Sequence, residues 1–88
     1  MNQTFYFTYG LSSGMPFRKG WTEVQAKTRR EAVALFRLIH PDRYDGIVNC
    51  SDIYDEETFK QTSMYKKGNF GVCCHEYISL IHILKGDD

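Results

Sequence analysis

The sequence has no net charge, no long apolar run and no metal-type cysteine spacing, and each absence removes a class of function. Eleven Lys and Arg balance eleven Asp and Glu over 88 residues, so the global attraction that draws a uniformly basic protein onto nucleic acid is missing. The best apolar stretch, Ile78 to Leu84, is seven residues long and interrupted by His82. A membrane span needs roughly eighteen, and no membrane association is expected. The opening run MNQTFYFTY lacks the basic region, apolar core and small-residue cleavage site of a secretory signal, so a cytoplasmic protein is expected. Cys50, Cys73 and Cys74 are odd in number and two are adjacent, which suits reduced thiols rather than a disulfide framework. Neither a C-x-x-C nor an H-x-x-x-H pair occurs, and these are the strong zinc spacings. Gly14 to Gly20 lacks the order of a phosphate-binding loop and leads into a strand where such a loop must lead into a helix. There is no internal repeat, no low-complexity segment, and no length for two cores; residues 1–88 read as a single domain.

What is present is apolar patterning: 42% of residues are hydrophobic and 15% aromatic. Thr4 to Tyr9 is an unbroken run of β-branched and aromatic residues and reads as a strand. Gly10 to Gly20 is too long for a tight hairpin turn and reads as a protruding loop; Trp21 to Ala26 alternates as a second strand. Thr28-Arg29-Arg30-Glu31 is a capping box, with the glutamate expected to reach back to the cap amide. Ala32, Leu35, Phe36 and Ile39 follow at helical spacing, and Pro41 stops the run. A helix is expected over about 28–40. Ile47 to Cys50 reads as a short strand, Asp55 to Gln61 as a brief acidic helix, Lys66 to Gly71 as a loop, and Val72 to Leu84 as a last, long strand. The expected fold is α+β, in the order β-β-α-β-α-β, with a three- to four-stranded, mostly antiparallel sheet packed by one main helix.

The neutrality is a cancellation. Residues 1–43 carry seven basic against three acidic side chains, and residues 44–88 four against eight. Two opposite faces or internal pairing would both produce that split. Phe17 and Phe70, in glycine-bearing loops beside Arg18, Lys19, Lys66 and Lys67, have the composition of an interface anchor with a charged rim. Arg29, Arg30 and Arg37 lie off the apolar stripe of the helix and extend the candidate binding surface. Together with the aromatic first strand they also have the ingredients of a stacking platform for nucleic acid, although the K/R-G-aromatic pattern of an RNA-recognition strand is missing.

Chemistry-bearing side chains are few. Cys73 and His75 share a strand face, and Cys50 with His40 would complete a four-ligand metal set; small buried cysteines packing as hydrophobes is the plainer alternative. Cys50 or Cys73 with a histidine is also the only arrangement open to a thiol nucleophile, and no orienting third group is marked. Glu56 and Glu57 read as helix N-terminal acids. His40-Pro41-Asp42 is the tripeptide of J-domains, but strands stand where that fold needs helices, leaving a proline stop followed by an aspartate turn.

Gly20 to Ala26, Arg30 to Arg43 ending in His-Pro-Asp-Arg, Asn49-Cys50-Ser51, Gly68 to Gly71 and Cys74-His75-Glu76 together resemble a group of small uncharacterised proteins of prophages and conjugative elements in Gram-positive gut bacteria. The resemblance implies a mobile-element setting, where domains of this size often modulate or inhibit a host protein by binding it. The function expected is therefore that of a small, non-enzymatic binding protein without a cofactor. A protein partner is favoured, nucleic acid is the alternative, and a zinc or thiol site at the Cys/His residues is a further one. Pairing of two copies through an exposed terminal strand is also open.

Overall fold

The computed structural model describes residues 2–10, 14–71 and 74–81, with 68–71 as backbone alone. The elements are β1 (Gln3–Thr8), β2 (Trp21–Ala26), α1 (Arg29–Ile39), β3 (Asp52–Asp55), α2 (Glu56–Phe59), α3 (Ser63–Gly71) and β4 (Cys74–Ser79). They form an α+β domain with one mixed sheet in the order β3-β1-β2-β4. β1 pairs antiparallel with both β2 and β3, and β4 runs parallel to β2.

The alternation of β1 decides the layering. Phe5, Phe7 and Tyr9 point to one side, where Ala32, Leu35 and Phe36 of α1, Val24 and Ala26 of β2 and Ile78 of β4 close over them. Phe7 and Phe36 stack with ring centroids 4.4 Å apart. Tyr6 points to the other side and stacks on Phe59 of α2 at 4.0 Å, in a second cluster with Trp21 that Tyr54, Met64 and Cys74 flank. Each of these rings contributes on the order of 1.5–3 kcal/mol by leaving water. A strand aromatic on both faces has to be covered on both, which is why β1 sits inside the sheet between two helical layers.

α1 has the expected bounds, with Thr28 as its N-cap. The Thr28 hydroxyl accepts from the Glu31 amide at 3.0 Å, and Glu31 reaches back to the amide of Lys27, one residue before the cap, at 2.7 Å. His40 closes the other end, its backbone N–H donating to the Phe36 carbonyl.

Three segments differ from expectation. The third strand is Asp52–Asp55, not Ile47 to Cys50: Ile47 makes only an isolated bridge to Tyr44, and the chain first meets the edge of β1 where the Ser51 amide donates to the Thr8 carbonyl at 2.7 Å. Ile53 then packs toward the α1 layer and Tyr54 toward the α2 layer. Lys66 to Gly71 belongs to helix α3 rather than to a loop. The last strand is Cys74–Ser79, since Leu80 and Ile81 have left extended geometry; Val72, Cys73 and residues 82–84 lie outside the described residues.

The loop between β1 and β2 is closed at its base by the Lys19 amide donating to the Gly10 carbonyl at 2.7 Å, with Lys19 itself in the left-handed region at φ 64°. Across the loop, a Cβ on Gly14 would lie 1.8 Å from a guanidinium nitrogen of Arg43. The absence of a side chain at Gly14, which also sits at φ +92°, lets the turn after α1 approach this loop.

Candidate functional site

The densest polar chemistry lies where the C-terminal end of α1 meets the parallel seam between β2 and β4. The register there shifts: Trp21 pairs with Cys74 but Thr22 pairs with Glu76, so His75 is an extra residue in β4. Such a bulge defeats simple alternation. Both His75 and Glu76 consequently turn toward the α1 side of the sheet.

Glu76 is the hub. Its Oε2 accepts from the Thr22 hydroxyl at 3.0 Å and pairs with His40 Nε2. Because the one Thr22 proton is committed to Glu76, the fully buried Tyr9 phenol donates to the Thr22 oxygen. The result is a hydrogen-bonded relay, Tyr9–Thr22–Glu76–His40, joining β1, β2, β4 and the helix cap. Burial raises the Tyr9 pKa above its ordinary value, and the nearby Glu76 carboxylate adds to that; the phenol is a permanent donor at neutral pH. His75 is held separately, its Nε2 bonded to the Lys19 carbonyl at 2.7 Å. Among the described residues no buried side-chain nitrogen or oxygen lacks a partner.

Phe17 covers this junction. It stacks on His75 with centroids 4.4 Å apart and planes 4° from parallel, and meets His40 edge-on at 5.9 Å and Tyr9 at 5.5 Å. The loop phenylalanine expected as an exposed anchor is thus folded back and half-buried. Arg18 beside it is exposed and Lys19 half-buried.

The other expected site residues are scattered. Arg29 and Arg30 are exposed at the opposite end of α1, separated from Arg18 by the whole of β2, roughly 20 Å at strand rise. Arg29 donates to the Ile53 carbonyl at 3.0 Å. Arg37 is engaged at the end of α1, with Asp42 at 3.0 Å and the Gly46 carbonyl at 3.4 Å. Lys66 and Lys67 are exposed on α3, an element of the other helical layer, and the side chain of Phe70 lies outside the described residues. The aromatic first strand offers no stacking platform, because Phe5, Tyr6, Phe7 and Tyr9 are all buried.

The cysteine–histidine set is not assembled by the described residues. Among them no group of three His, Cys, Asp or Glu side chains is placed to hold a metal ion, and Cys73 lies outside them. Nε2 of each candidate histidine is already bonded within the fold, His40 to Glu76 and His75 to the Lys19 carbonyl. Burial pushes the Cys50 thiol up to about 12, and burial, with Glu23 adding to it, also raises Cys74. Neither is a thiolate near neutral pH, the form a nucleophile requires.

A cleft of about 310 Å³ lies away from the junction, lined by Asn2, Gln3, Thr4, Asp55, Glu56 and Glu57. Its acids do structural work: Asp55 caps α2 by accepting from the Thr58 amide at 2.8 Å, and Glu56 bridges Lys60 at 3.1 Å. Among the described residues no helix is long and apolar enough to cross a membrane.

One surface feature was legible only in part. Leu38 is 66% exposed, and Tyr44 and Ile47 in the following turn are each 61% exposed. Leu38 falls off the apolar stripe of α1, which is the signal a helical reading of the sequence carries; nothing local marks Tyr44 and Ile47. Arg37 binds this turn to the helix end through Asp42 and Gly46, so the three apolar side chains are displayed on a braced support. No known protein family, curated protein or solved structure matches the chain.

Proposed function

We propose that this chain is a non-enzymatic binding domain that engages a protein partner through the end of α1 and the turn after it. The observation that carries this reading is the exposure of Leu38, Tyr44 and Ile47 within ten residues, on a turn held by the Arg37–Asp42 pair. Large apolar side chains on a braced turn lose little conformational freedom on binding, and each contributes on the order of 1.5–3 kcal/mol if a partner covers it fully. Arg43, its guanidinium 5.2 Å from the centre of the Tyr44 ring, supplies a charged rim of the kind that surrounds apolar interface centres. The relay at Glu76 supports this surface from below by fixing the cap of α1. In the mobile-element setting that the sequence resemblance implies, the partner is a host protein.

The test is site-specific photo-crosslinking from position 44 in cells, followed by binding measurements on whatever protein is captured. Leu38→Asp is expected to weaken that complex at least tenfold while the melting temperature of the free domain stays put, and Lys66→Ala is expected to leave it unchanged. A complex indifferent to Leu38→Asp and Ile47→Asp together would overturn the assignment.

A further inference from the structure

The turn after α1 carries a cation that the fold has placed but not paired. The guanidinium of Arg43 lies against the backbone of Gly14, where a Cβ would be 1.8 Å from Nη1 and 3.1 Å from Nη2, and its carbon stands 5.2 Å from the centre of the Tyr44 ring. A flat group resting on a glycine and packed against an aromatic ring has already given up much of the rotamer freedom of a surface arginine. Yet Arg43 is exposed, and among the described residues no carboxylate lies in ion-pair range of it and no acceptor takes its N–H groups. Arg37 shows the contrast, since its guanidinium is engaged by Asp42 and the Gly46 carbonyl. Asp45, the other acid of the turn, is exposed and makes no ion pair with Arg43.

We propose that Arg43 receives a carboxylate of the protein partner, an Asp or Glu side chain set among the apolar side chains that cover Leu38, Tyr44 and Ile47. The assignment rests on the reading of that surface as a partner-binding face, and it adds what the partner presents there: an acidic, apolar segment. A planar guanidinium with its fork free matches a carboxylate through two parallel hydrogen bonds, and a fork already held in place loses little further freedom on pairing. The surrounding charge agrees. Arg37 and Asp42 cancel, which leaves Arg43, with Arg18 and Lys19 on the loop whose Phe17 meets His40, against Asp45; a positive balance of this kind draws an acidic partner. A phosphate group would bring a larger negative charge toward Asp45, and a nucleic-acid backbone would set charge rather than apolar atoms against Leu38 and Ile47.

The probe is a displayed library of short random peptides selected on the full chain, with the retained sequences then synthesised and titrated. Retained peptides are expected to carry Asp or Glu beside large apolar residues, and changing that acid to Asn or Gln is expected to weaken binding at least tenfold. Arg43→Gln is expected to weaken it at least tenfold with the melting temperature unchanged; Arg43→Lys, which keeps the charge without the fork, serves if the first variant is poorly folded and is expected to cost at least threefold. Arg30→Gln, at the far end of α1, is expected to change nothing. Peptides that need Leu38 but carry no acid, or that ignore both Arg43 variants, overturn the carboxylate site and leave the binding face standing. Peptides that need Arg43 and the acid but tolerate Leu38→Asp and Ile47→Asp together overturn the apolar face instead, and a library that yields no binder overturns both. A single-stranded oligonucleotide whose binding Arg43→Gln abolishes makes phosphate the anion and overturns the proposal.

Discussion

At the scale of single residues, Glu76 carries more of this fold than its place on an edge strand would imply. One oxygen serves Thr22 and His40 at once, and through Thr22 it sets the direction of the Tyr9 phenol. Removing it takes the acceptor from Thr22 and His40 in a half-buried junction, and unsatisfied buried groups cost more than the bonds they once made. Glu76→Ala is therefore expected to lower unfolding free energy by about 2–4 kcal/mol. Glu76→Gln keeps an oxygen able to accept from both partners and gives up only the charge, so its expected cost is about 1 kcal/mol or less. Urea unfolding of the two variants distinguishes a hydrogen-bond hub from a simple ion pair: equal losses would mean that charge alone matters. The same junction explains Phe17. Its ring lies flat on His75, so an aromatic that looks like an exposed loop anchor is the lid over a polar cluster.

At the scale of elements, α1 is the part whose local chemistry and final structure agree most closely. Thr28 caps it, Glu31 turns back over its start, and Pro41 follows the closing residue. Thr28→Ala is expected to cost about 1 kcal/mol, read as a drop in the urea midpoint at constant slope; no drop would mean that packing of Leu35 and Phe36 alone holds the first turn. β1 and β2 were as legible, because a β-branched and aromatic run and a clean alternation are local properties. β3 was not: Asp-Ile-Tyr-Asp is a poor strand by propensity, and it becomes one because it lies along β1 while Ile53 and Tyr54 find opposite hydrophobic layers. α3 was hidden by the glycines at 68 and 71, which argue for a loop wherever tertiary context is ignored. The relay at Glu76 was beyond sequence reasoning for a related cause. Strict alternation places His75 and Glu76 on opposite faces, and only the register shift between Trp21 and Thr22 brings them to the same side. The positions of Phe5, Phe7, Phe36 and Val24 in the core, by contrast, follow from periodicity alone.

At the scale of the whole molecule, the two oppositely charged halves of the chain are interleaved rather than set face to face. The strands of the basic half, β1 and β2, occupy the middle of the sheet, and those of the acidic half, β3 and β4, flank them. Pairing is mixed accordingly: Arg37–Asp42 and Glu56–Lys60 stay within their halves, while His40–Glu76 crosses between them. What the interleaving does create is an interior rich in weak acids kept neutral. Burial pushes Cys50 up to about 12 and, with Glu23 and Glu56 adding to it, Tyr6 to about 12; burial chiefly, with Glu76 adding to it, also raises Tyr9. Each of these groups gives up its proton more readily in the unfolded chain than in the folded one. Their contribution to stability is therefore complete below about pH 9, where the unfolded thiol begins to ionise, and declines as pH rises toward 12. Each group titrating only in the unfolded state contributes a slope of up to about 1.4 kcal/mol per pH unit. The urea midpoint is accordingly expected to be flat near pH 8 and to fall steeply between about 9 and 11, and Cys50→Ala to reduce the part of that fall with the lowest onset, which it shares with the raised Cys74 thiol. A midpoint that stays level through this window, in a domain that remains folded, would mean that these groups ionise in place and that water reaches the layers on both faces of the sheet.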